Sequence, residues 1–180
     1  EEVDPRRKKL NRLLIGEETW AKDVLAEIDD MRMGNFALEL QGLERRKRKK
    51  EMQERLIEGP KDPWRPSKHG PMREVILTAN AEYFAGDDDQ STLAGMIAKA
   101  RRERMFERVA VNFLQQTFGD DVVHARCDRD EKADHIHAVI VPRSQDRSGR
   151  RVLQPSKHAT IKDYELAQDI VGHWFSDLDL

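Results

Sequence analysis

Apolar positions along the chain switch between a helical and an alternating period, and the switches mark the elements. Residues 1–16 are basic and broken by Pro5, which predicts an extended arm. Trp20, Val24, Ile28 and Met31 recur at intervals of four, four and three, which predicts a helix over 18–32 with Gly34 just past its end. Phe36, Leu40 and Leu43 predict a second helix over 35–57, carrying the run ERRKRKK at 44–50. Residues 58–71 hold four of the seven prolines and read as a linker or an ordered loop. Residues 73–80 are strand-like, and 87–90 form an acidic turn. Ser91 is placed to cap a helix reaching about Phe118, with Phe106, Val109, Phe113, Leu114 and Phe118 as its stripe. That stripe is out of phase with Leu93 and Ile97, which predicts a kink near residue 101, and Gly119 ends the helix.

The next segment carries the candidate chemistry. Residues 121–128 and 135–141 alternate and are joined by a polar turn, the pattern of an antiparallel hairpin. Side chains change face at every strand residue. Val123, Ala125 and Cys127 then share one face with Ile136, Ala138 and Ile140, turned toward helices. His124, Arg126, Asp128, His135 and His137 share the other. Residues 143–158 read as a basic loop. A closing helix starts near Thr160, with Ile161, Tyr164, Val171 and Trp174 inward. The fold class is therefore α+β: an antiparallel sheet with helices on one face, preceded by a helical basic segment. The expected organisation is a basic arm and helical segment over 1–57, a Pro-rich linker over 58–72 and an α+β core over 73–180.

Composition narrows the function classes. Of 180 residues, 38% are hydrophobic and 37% are charged, so the core is lean and helix surface is abundant. The net charge of −2 excludes a uniformly basic nucleic-acid binder, although 32 Lys and Arg leave room for local patches. No stretch approaches the roughly 20 apolar residues of a membrane span, and no signal peptide is seen. The single cysteine, Cys127, rules out an internal disulfide and a cysteine zinc site and fits a reducing, cytoplasmic setting.

His135 and His137 lie at i and i+2 on one strand, so both imidazoles reach the same side and can bind one cation. Asp128 ends the neighbouring strand on that face, and Glu131 lies in the connecting turn. Two imidazoles with one or two carboxylates suit Mn²⁺ or Zn²⁺, rather than the all-oxygen shell of Ca²⁺. The plainer reading pairs the two histidines with Asp128 and Asp134 on a solvated sheet face.

The stretch DRDEKADHIHAVIVP (128–142) resembles the metal-binding motif of the plasmid mobilisation and recombination relaxases (Mob/Pre, MobV-type), within the HUH endonuclease superfamily. That motif reads His-x-Asp-Glu-x-x-Pro-His-x-His and runs into a hydrophobic stretch ending in Pro. The chain matches at Asp130, Glu131, His135, His137 and Pro142 and departs at Asp128 and Asp134. DPRRKKLN (4–11) resembles the family's Asp/Asn-Pro-x-Arg-x-x-x-Asn segment, and 73–84, 112–121 and the closing helix fall in the expected order. The resemblance implies a metal held by His135, His137, Asp128 and Glu131, with Mn²⁺ as the expected cofactor and Mg²⁺ or Zn²⁺ as alternatives. It implies nicking of single-stranded or hairpin origin DNA through a covalent protein–DNA link. The family carries its nucleophile on a strand before the Asp-Pro segment, so the chain is expected to be a fragment lacking that strand. Inward packing at helical spacing is the preferred reading of Tyr164, which is otherwise the candidate nucleophile here, with Glu131 as a catalytic carboxylate. Tyr83 is expected to be structural.

Candidate phosphate contacts are Arg6, Arg7, Arg45, Arg46, Lys47, Arg126, Arg143 and Arg150, with Arg126 and Arg143 flanking the metal face. A solvated helix face is the plain alternative for the run at 45–50. Three functions compete: a metal-dependent nicking domain, a diverged relaxase-like module that binds DNA or a protein without cutting, and an unrelated phosphoesterase. The last is disfavoured because histidine-triad hydrolases need a third histidine where Val139 stands. His69, His158 and His173 are assigned no chemistry.

Overall fold

The computed structural model describes residues 11–129 and 134–178. Four strands, β1 (Arg12–Gly16), β2 (Arg73–Thr78), β3 (Val122–Asp128) and β4 (His135–Ile140), form one antiparallel sheet in the order β1-β3-β4-β2. A small hairpin, β5 (Arg143–Gln145) and β6 (Arg151–Leu153), stands apart from it. The helices are α1 (Trp20–Arg45), α2 (Lys49–Glu58), α3 (Ala81–Ala85), α4 (Leu93–Phe118), α5 (Ala159–Lys162) and α6 (Tyr164–Phe175). The fold is α+β, and β3 and β4 form the expected hairpin. Among the described residues, no helix is long and apolar enough to cross a membrane.

The inner face of the sheet is built from small residues at its centre. Ala125 and Ala138 are register partners, both fully buried, beside the Cys127–Ile136 pair. This leaves room for the large side chains of α4, so Phe106, Phe113 and Leu114 pack there with Phe175 of α6. Phe106 touches Phe84 and Phe175 with ring centroids 5.4 and 5.6 Å away. Burying each such ring contributes about 1.5–3 kcal/mol. The opposite face holds the histidines.

Several elements differ from the sequence expectation, each for a local reason. Residues 12–16 are the edge strand β1 rather than an arm. Helix α1 does not stop at Gly34 but runs unbroken through it to Arg45. An interior glycine costs about 1 kcal/mol relative to alanine. Asn35 offsets this by grasping β6: its Nδ2 donates to the Arg151 carbonyl at 2.7 Å and its Oδ1 accepts from the Arg151 N–H at 3.0 Å. The helix breaks instead inside the basic run, at Lys47, which has φ +57°. Helix α4 is continuous. Thr92, not Ser91, caps it by accepting from Gly95 N at 3.0 Å. The phase mismatch is met by leaving Leu93 72% exposed, with Met96 and Ile97 beside it.

Val123 does not share the inner face. A bulge between Val122 and His124 turns Val122 into the main core and Val123 toward a second cluster. That cluster joins Val24, Ile28 and Met31 of α1 to Val141 and Leu153, with Trp64 and Met72 from the proline-rich segment. Residues 58–72 lie against the protein there, with the Pro63 carbonyl accepting from Leu153 N at 2.8 Å. The closing helix is broken at Asp163, whose side chain caps α6. The break shifts the phase, so Ile161 and Val171 pack inward while Tyr164 is 75% exposed. Its predicted inward packing is thereby corrected.

Candidate metal centre

Asp128, His135 and His137 converge on the open face of the sheet. Asp128 and His135 are register partners across β3 and β4, and His137 lies opposite Arg126. Each of the three offers one ligand atom, and these atoms lie within 4.8 Å of one another. Among the described residues, no other group of three or more His, Cys, Asp or Glu side chains meets that condition. The two imidazoles stand 4.9 Å apart at 70°. One carboxylate and two imidazoles form a donor set suited to a borderline divalent ion.

A fourth side chain completes the arrangement. His137 Nδ1 lies 2.7 Å from Glu74 Oε1 on the adjacent strand β2. A carboxylate accepts, so Nδ1 is the donor to Glu74, and in the neutral ring that leaves the lone pair on Nε2 for a ligand. Orientation of a histidine ligand by a carboxylate behind it is the usual support of a metal site. Glu74 escaped sequence reading because it comes from a strand 63 residues away. Its register, two pairs removed from the Ile76–His137 pair and so on the same face, appears only once β2 and β4 are aligned.

The position of Asp128 is fixed from beneath the sheet. Arg129, next in the chain, turns inward to Glu103 at 3.1 Å and Glu107 at 2.8 Å on α4. Glu107 is 5% exposed and also takes Arg12 of β1 at 3.1 Å. Arg129 N donates to Asn11 Oδ1 at 2.9 Å. Removing one member of such a buried ion cluster costs about 3–5 kcal/mol, so the end of β3 is firmly held. Burial pushes the neighbouring Cys127 thiol up to about 12, and it stays protonated.

Arg126 does not point away from the centre. It clasps Asp128 with both arms, Nε to Oδ1 at 2.6 Å and Nη2 to Oδ2 at 2.7 Å. His124, further along β3, stacks on Trp20 at 5.4 Å.

The remaining candidates scatter. Arg6, Arg7, Asp130 and Glu131 lie outside the described residues. Arg45, Arg46 and Lys47 are exposed at the end of α1. Arg143 forks onto Glu27 at 2.6 and 2.7 Å, tying β5 to α1. Arg150 bridges Glu39 and Asp146. Tyr164 heads α6, which packs on the inner face, and lines a groove of 960 Å³ along β2 whose wall includes Glu74 and Thr78. Tyr83 donates its hydroxyl to the Arg102 carbonyl at 3.4 Å and packs on the core. Compared with protein-family models, curated proteins and solved structures, the chain matches none.

Proposed function

We propose that this chain carries the metal-binding core of a relaxase-like endonuclease, an HUH-type fold that nicks single-stranded origin DNA in plasmid mobilisation or recombination. The observation that carries the reading is the Asp128–His135–His137 convergence with Glu74 behind His137. It joins the motif resemblance over 128–142 to a geometry able to hold one divalent ion, Mn²⁺ first among the candidates. Bound there, the ion supplies Lewis-acid stabilisation of charge developing on the scissile phosphate. His135 and His137 hold it, Glu74 fixes the proton on His137 Nδ1, and Arg126 offers a fork matched to phosphate oxygens. Tyr164 is the candidate nucleophile within the described chain, since its exposed side chain walls the same groove as Glu74.

The test is Mn²⁺ titration with melting temperature and strand cleavage as readouts. Mn²⁺ is expected to raise the melting temperature of the wild type but not of H135A or H137A. E74Q is expected to weaken the ion's affinity about 10- to 100-fold, as loss of a carboxylate behind a histidine ligand does. Absence of any Mn²⁺ effect in the wild type refutes the reading.

A second reading, a module that binds DNA without cutting it, is favoured by the placement of the two tyrosines. The Tyr83 hydroxyl is engaged with the Arg102 carbonyl, and Tyr164 sits on a helix packed on the face opposite the triad. Oligonucleotide binding that persists in EDTA, with no cleavage in Mn²⁺, selects this reading.

A further inference from the structure

We propose that Arg126 is an exchangeable latch on the metal centre: it holds Asp128 until a nucleic-acid phosphate takes its guanidinium, so that cation and phosphodiester bind cooperatively. The inference rests on the metal-binding reading above and adds a regulation to it.

Arg126 and Asp128 stand two residues apart on the same strand face, and the strand period brings them together. Both carboxylate oxygens are engaged, at 2.6 and 2.7 Å. The fork therefore occupies Asp128 where His135 and His137 offer their ligand atoms. It also cancels the carboxylate's charge, so a dication approaching the triad meets a fixed positive neighbour. With Asp128 masked, the cluster found among the described residues falls to two imidazoles.

The two members of the pair differ in exposure and anchoring. The Asp128 side chain is 9% exposed and its strand end is anchored by Arg129, whereas the Arg126 side chain is 49% exposed. The arginine is the partner that a ligand on the open face can reach. A planar guanidinium fork fits phosphate oxygens as well as it fits a carboxylate. A phosphodiester laid across the open face takes the fork and leaves Asp128 with its charge and lone pairs for the cation. The phosphate also brings its own negative charge beside the dication. Each ligand then strengthens the other, and the coupling is reciprocal.

The experiment titrates the full chain with Mn²⁺, reading unbound Mn²⁺ by electron paramagnetic resonance. Wild type and R126Q are compared with and without a short single-stranded deoxyoligonucleotide, against the oligonucleotide alone. In the wild type the oligonucleotide is expected to lower the Mn²⁺ Kd by about tenfold or more, within the usual range of coupling between sites. R126Q is expected to bind Mn²⁺ alone as tightly as the wild type does with DNA, with the oligonucleotide adding less than about twofold. Equal Mn²⁺ affinities in the two proteins, with the DNA effect retained in R126Q, overturn the latch and leave the metal reading standing. Weaker Mn²⁺ binding by R126Q also overturns it, because Arg126 would then be supporting Asp128 as a ligand. No Mn²⁺ binding by either protein, or binding unchanged in H135A, removes both inferences. If R126Q does not fold, R126M removes both the charge and the fork while keeping the aliphatic stem, and the same tightening is expected of it.

Discussion

His124 shows how one side chain at the margin of the candidate centre sets a pH response. Its ring lies against Trp20, and its Nδ1 is buried without a hydrogen-bond partner among the described residues. Burial, then the Arg126 cation, pulls its pKa below the ordinary value of 6.5; Glu18 and Asp128 oppose this more weakly. The unfolded chain therefore takes up a proton on this ring more readily than the folded one. Stability from His124 is complete above pH 6.5 and is lost as the pH falls below it. Glu39 and Asp146, held below the usual carboxylate range by arginine and serine partners, also weaken the fold in acid. The clean measurement is consequently a difference. H124F keeps the stack and removes the titration, so its melting temperature should fall less than that of the wild type between pH 7 and 5. Parallel curves for the two proteins refute the assignment. At this scale the sequence was informative where chemistry follows strand period: Asp128, His135 and His137 converge as their spacing on a hairpin requires. It was silent on Glu74, because a partner on a different strand is set by register. It named Arg126 as a phosphate contact without showing that Asp128 holds it.

Elements were legible where a single period governed them, and misread where tertiary contacts overrode it. The β3–β4 hairpin followed from clean alternation. Strand β1 did not, because Leu13, Leu14 and Ile15 form an apolar run without alternation, and a bulge between Leu13 and Ile15 reconciles that run with the sheet. The unbroken α1 depends on Asn35 holding Arg151, a contact 116 residues long that no local pattern displays. Gly16 shows how tightly β1 is joined to β3. It has φ +80°, and a Cβ there would stand 2.1 Å from the Val123 carbonyl oxygen. G16A is therefore expected to cost at least about 1–2 kcal/mol from backbone conformation alone, with the collision added. For a chain of this size each kcal/mol lowers the melting temperature by about 2–4 °C. Because Gly16 pairs with His124, Trp20 fluorescence should report the disturbance in the folded state. A melting temperature unchanged in G16A would show that β1 is dispensable to the sheet.

Across the whole molecule, the arginines are divided between holding the fold together and remaining available to a partner. A net charge of −2 gives no general attraction to a polyanion, so any DNA contact depends on local groups. Arg143 and Arg150 spend their guanidinium groups on Glu27, Glu39 and Asp146, linking α1 to the small hairpin. Arg45, Arg46 and Lys47 are exposed where α1 ends, and Arg45 and Arg46 each return an Nε–H to the helix carbonyls of Gln41 and Gly42. The two sets should therefore behave differently in a salt titration of single-stranded DNA binding. Each phosphate neutralised on a single strand contributes about 0.7 to the slope of log K against log salt. If the three residues at the end of α1 meet phosphates, replacing all of them with alanine should reduce that slope by about 2 and weaken binding to all sequences alike. R143A and R150A should leave the slope in place and lower the melting temperature instead, because their loss strands Glu27 without its arginine and leaves Glu39 to Arg55 alone. A triple variant with an undiminished slope would make the run at 45–47 a solvated helix end. Among the candidates within the described residues, the sheet face around Arg126, where the proposed exchange with Asp128 takes place, would then be the one left to meet the phosphodiester.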